Sequence, residues 1–232
     1  MSTPTKGAAT TGGVVAERHE RDVLAIFAEL REERRVVDAV IDVAFELTLQ
    51  RGETTRSARS DFVTWSRSVV ASARSGKDPD ADWSEALDTL LRGYLAIAGA
   101  ADTTAGTVAD RVTAVNERLG GSLTAPEQHI ADLVAGVLIG SVSMWSDADG
   151  AAKKAGGGID KSQIARADVT GAITGAAGAA VATWWSGPAS GGAVTGAIVT
   201  GAVLGSAVDL VMQDNANDAL EDAEPEGGRV GP

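Results

Sequence analysis

The chain has 232 residues, a formal net charge of −12 and no cysteine. The length allows one or two domains with a real core. The missing cysteine excludes disulfides, thiolate catalysis and cysteine-ligated metals, and the acidic balance argues against nucleic acid, where lysine and arginine must neutralise phosphates. Aromatic residues make up 4%, so the core is expected to be Ala, Val, Leu and Ile.

Residues 1–13 are rich in Ser, Thr, Gly and Ala and read as a disordered tail without the apolar region of a standard secretory signal. Residues 14–50 hold no glycine and no proline, and the frame Val23, Phe27, Leu30, Arg34, Val37, Ile41, Ala44, Thr48 steps alternately by four and three. That spacing predicts one long amphipathic helix of about 50 Å. Ile26, Val40 and Leu47 widen the stripe, which suits a bundle. Arg51-Gly52 ends it. A second helix is expected over residues 55–75, with Phe62, Trp65, Val69, Val70 and Ala73 facing inward. Residues 76–80 read as a turn. A third stripe runs from Trp83 through Leu87, Leu90, Tyr94, Ile97, Ala101, Thr104, Val108, Val112 and Val115 to Leu119. It favours one continuous helix, with a break near Gly99 and a restart at Asp102 as the alternative.

Gly120-Gly121 signals a helix end, and Thr124 with Glu127 forms a capping box. The helix that follows, to Ser146, is uncharged from Leu133 to Trp145. That run is too short to span a bilayer and reads as a buried helix. Gly136 and Gly140 would let a neighbouring backbone come close. Residues 148–160 form a linker whose Gly156, Gly157 and Gly158 read as a hinge. Asp160 with Gln163 is a second capping signal.

From Val169 to Val208 there is no charged side chain, and Ser186-Gly187-Pro188-Ala189 breaks the run near its middle. This pattern predicts two apolar helices joined by a turn, within residues 161–213. Each arm is about 18–20 residues, close to what a bilayer core requires. Small residues recur every four positions: Ala167, Gly171, Gly175 and Ala179 in the first arm, then Gly192 with Gly196, and Ala197, Gly201 and Gly205, in the second. Such ridges let helix axes pack closely. Trp184 and Trp185, at the end of the first arm, suit the headgroup level of a membrane. The first arm holds few strongly apolar residues and the second is better equipped. Residues 221–232 read as a disordered acidic tail.

Residues 168–212 resemble the glycine-zipper hairpins of bacterial small-residue-rich membrane proteins and the hydrophobic hairpin of colicin-type and other α-helical pore-forming toxins. The resemblance is one of style. It implies a hairpin kept in a water-soluble helical bundle and later delivered to a bilayer. Those hairpins hold more Leu, Ile and Phe, so close packing between copies would have to supply more of the energy here. Residue usage also resembles that of GC-rich bacterial genomes.

Other chemistry is thin. His19 and His129 are expected to be solvated or near helix caps, without metal-ligand spacing. Asp78 to Asp82 and Asp147 to Gly150 do not complete a calcium loop. Gly156 to Ser162 lacks the order of a phosphate loop, and no nucleophile elbow is present.

The expected fold is therefore all-α: residues 14–147 as a bundle of long amphipathic helices, followed by a Gly/Ala-rich hydrophobic hairpin. No enzyme activity, cofactor or metal is expected. The expected partners are a lipid bilayer and further copies of the chain, not nucleic acid, and the expected location is cytoplasmic, membrane-associated or both. The alternative is a soluble self-assembling scaffold subunit of a bacterial particle.

Overall fold

A computed structural model describes residues 8–29, 37–75, 83–119, 123–146, 160–181 and 190–223. All regular structure in them is helical, as the sequence predicts: α1 Ala8–Glu29, α2 Val37–Gln50, α3 Arg59–Ser75, α4 Glu85–Ala98, α5 Val108–Leu119, α6 Ala125–Ser146, α7 Lys161–Val181 and α8 Ser190–Ala223. A single 3-10 turn, Arg56–Ala58, leads into α3.

The 50 Å rod expected over residues 14–50 is folded in two. Both guanidinium nitrogens of Arg51 donate to the carboxylate of Asp22, 29 positions earlier. Arg18 meets Glu53 at 2.6 Å. In a straight helix, residues 22 and 51 would stand roughly 43 Å apart. The helix also begins earlier than expected, at Ala8, inside the segment read as a tail. At the far end of α2, Gly52 adopts φ +69°, a left-handed conformation that glycine takes without a Cβ penalty.

The third stripe is likewise two helices. α4 stops at Ala98 and α5 restarts at Val108, which overturns the continuous reading. The connection is held by hydroxyls: Thr103 Oγ1 donates to the Ile97 carbonyl at 2.7 Å, and the Thr104 N–H donates to Thr107 Oγ1 at 3.1 Å. Arg111 donates two bonds to Asp102 and holds its carboxyl below the ordinary range. Ala101 and Thr104, both in the predicted stripe, are exposed.

At the start of α6, Glu127 accepts from the Thr124 N–H at 2.9 Å and its hydroxyl at 2.7 Å. The Ser84 hydroxyl, itself the N-cap of α4, is the largest influence on Glu127, and together with Thr124 it brings the carboxyl down to about 2. A carboxyl lowered by folding contributes stability above its unfolded value, near 4.3, and loses it as pH falls through the folded value. The urea midpoint of the wild type should thus drop between pH 5 and 2 more steeply than that of Glu127→Gln. Parallel curves would remove this role.

α7 and α8 make the most extensive helix–helix contact. The hairpin is not appended to the bundle but lies inside it. α8 packs on α1, α2, α3 and α6, while α7 packs on α3, α4 and α6. Ile164, Val169, Ile173, Ile198, Val199, Val203, Leu204 and Val208 are all buried. α1 approaches α6 closely at Gly140, where a Cβ would stand 2.6 Å from that of Ala16.

Candidate functional site

The core of the hairpin is built by backbone meeting backbone. A methyl group at Gly171 would overlap the Gly201 carbonyl, one at Gly175 the Ala197 carbonyl, and one at Gly205 the Ala167 carbonyl. Residue numbers descend on one helix as they rise on the other, so the helices are antiparallel. The four-spaced row Ala167, Gly171, Gly175 faces the row Ala197, Gly201, Gly205. Gly196 is also buried. Gly178, outside the predicted rows, instead makes room for the Trp65 indole of α3. Trp184, Trp185, Gly187 and Pro188, and the hinge Gly156, Gly157 and Gly158, lie outside the described residues. Ala179 and Gly192 fall in helices, but their surroundings are likewise outside the description.

The open end of the hairpin is fastened by amides. The Asp160 carboxylate accepts from the Ser162 and Gln163 N–H groups at 3.0 and 3.1 Å, capping α7. The Gln163 side chain does not turn back to complete the capping box; it donates to Asp209 at 3.0 Å. Gln213 donates to the other oxygen of Asp209 at 2.7 Å and accepts from the Asp160 N–H at 2.8 Å.

One polar cluster lies deep between α1, α6 and α7, and the sequence reading missed it. His19 and Asp168 are both 0% exposed. Asp168 Oδ2 accepts from the Ser141 hydroxyl and, at 3.3 Å, from the Trp145 indole N–H. His19 Nε2 stands 3.5 Å from Asp168 Oδ1. Among the described residues neither ring nitrogen of His19 nor Oδ1 of Asp168 has a hydrogen-bond partner. The expectation that His19 is solvated is thus wrong, whereas His129 is exposed. The cause is register: Val15, His19, Val23 and Ile26 form one buried face of α1. The serine donates to the carboxylate rather than to the imidazole, so the order needed for nucleophilic catalysis is not assembled.

Outside the core, an open groove between α2 and α3 is bridged by Arg59–Asp42 at 2.7 Å and Arg67–Asp38 at 3.3 Å. These ion pairs are exposed and contribute little. Among the described residues no group of three His, Asp or Glu side chains is placed to hold a metal ion.

Among the described residues, two helices are long and apolar enough, by length and composition, to cross a membrane: Ala125–Ser146, and Val194–Gln213 within α8. These two are not the neighbouring arms of the predicted hairpin. α6 qualifies although its uncharged run had read as too short, and α7 is not among the two. Within the fold, 83% of the most apolar window of α8 is buried, against 61% for α6. No protein-family model, no curated protein and no solved structure matches the chain.

Proposed function

We propose that this protein is a membrane-inserting helical protein that carries its α7–α8 hairpin inside a water-soluble bundle and delivers it to a bilayer. The observation that carries the reading is α8: a segment of membrane length and apolarity held at the centre of the fold rather than at its surface. α8 leads and α7 follows. From Val169 onward α7 offers few strongly apolar residues, since Val169, Ile173 and Val181 are its main contributors there and each favours insertion by only about 0.3–0.6 kcal/mol. Backbone contact along Gly171, Gly175, Gly201 and Gly205 makes the two helices one body. α6, more exposed and pinned to α1 at Gly140, remains with the bundle.

Association of inserted hairpins into a pore-forming oligomer belongs to this proposal as its final step. The scaffold alternative is less well supported, because Gly171, Gly175, Gly178, Gly201 and Gly205 already face partners within the chain.

The chain holds no cysteine, so a single Val194→Cys variant takes one fluorescent label. Warmed toward its unfolding midpoint with phosphatidylcholine vesicles, the full-length labelled protein should float with the lipid, and brominated acyl chains should quench the label. Recovery in the aqueous fraction with an unquenched label would reject the reading.

A further inference from the structure

A stored hairpin must be held by contacts that do not travel with it. Asp209, at the end of the uncharged stretch, is bonded by Gln163 and Gln213. Both belong to the hairpin and stay with Asp209 wherever it goes. Asp168, at the other end of that stretch, is the opposite case. Its partners Ser141 and Trp145 are on α6 and His19 is on α1. It is also the single charged side chain between Arg166 and Asp209.

We propose that Asp168 is a latch: its carboxylate, bonded by Ser141 and Trp145 and faced by His19, fixes the α7–α8 hairpin on α1 and α6 and opposes its release. The release it opposes rests on the membrane reading above.

The asymmetry is chemical. When the hairpin leaves, Asp168 loses its two hydrogen bonds and its facing imidazole together. A carboxylate carried toward lipid without them is strongly disfavoured. His19 in turn is left in an apolar wall. The remaining contacts between the hairpin and the bundle are mainly between apolar side chains, and lipid can replace those without loss of hydrogen bonds. The latch is therefore a directional part of the hairpin's docking, and it sits next to Ala167, the first member of the close-packed row.

The test uses the full-length chain with His19→Leu, which leaves the hairpin's own sequence untouched. In water without lipid, amide hydrogen exchange should quicken about tenfold or more in α7 and α8, with α3, α4 and α5 as in the wild type. His19→Gln, which puts a side-chain amide N–H in place of the imidazole, should stay within about threefold of the wild type; it also carries the test if the leucine variant does not fold. Flotation on phosphatidylcholine vesicles at fixed pH should then recover severalfold more His19→Leu than wild type. Unchanged exchange in α7 and α8, or an equal rise in every helix, overturns the latch. Selective exchange in α7 and α8 with no lipid recovery of either protein upholds the latch and overturns the membrane reading.

Discussion

Gly201→Leu should lower the unfolding free energy by about 3 kcal/mol or more, at the upper end of what overpacking costs. A Cβ at this position meets the carbonyl of Gly171 and the Cα of Gly175, both backbone atoms. A side chain in the way can rotate, but backbone cannot, so α7 and α8 must separate. Separation also uncovers Ile173 and Ile198, which are otherwise buried. The effect reads as a fall in the urea midpoint. Gly13→Ala is the control: nothing stands within 4 Å of its Cβ, and it lies in α1, where alanine is favoured over glycine by up to about 1 kcal/mol. If Gly201→Leu left the midpoint unchanged, the close contact of the two helices would be refuted.

Arg51→Ala should cost about 2–3 kcal/mol. The side chain of Asp22 is 4% exposed and takes both guanidinium nitrogens of Arg51. Without them, among the described residues it keeps Arg18 at 3.7 Å, whose head is already engaged by Glu53. Removing one partner of a buried pair typically costs about 3–5 kcal/mol, because a charge is left uncompensated. Arg51 itself is 27% exposed, and the water that reaches this edge lowers the figure. A midpoint within error of wild type would show that the return of α2 along α1 does not depend on this pair. High salt should alter the difference less than it would for an exposed pair such as Arg59–Asp42.

The helical class, the capped start of α6 and the two facing small-residue rows were legible because each is written in local spacing. The folded-back α1 and α2 were not, since a stripe of threes and fours describes a bent pair as well as a straight rod when both halves bury one face. The complementary charges of Arg18 and Asp22 against Arg51 and Glu53 were the available signal. The break between α4 and α5 was marked by Asp102, Thr103, Thr104 and Thr107, side chains that compete with helix for backbone hydrogen bonds. Its frame survived only through Ala101 and Thr104, the weakest members of the stripe. His19 stood among Glu17, Arg18, Glu20, Arg21 and Asp22 and read as surface. Its spacing of four from both Val15 and Val23 pointed inward, but Asp168 lies too far along the chain for local spacing to reveal the pairing.

The facing rows of α7 and α8 have a thermodynamic corollary. Glycine and alanine have no rotamers to freeze, and valine has few, whereas long side chains give up about 1.5–2 kcal/mol each when they are immobilised. Such a pair of rods surrenders little freedom on being confined and regains little on being let go. On the membrane proposal, its choice between protein and hydrocarbon surroundings is then governed by adhesion alone, so that one well-placed charge can tip it.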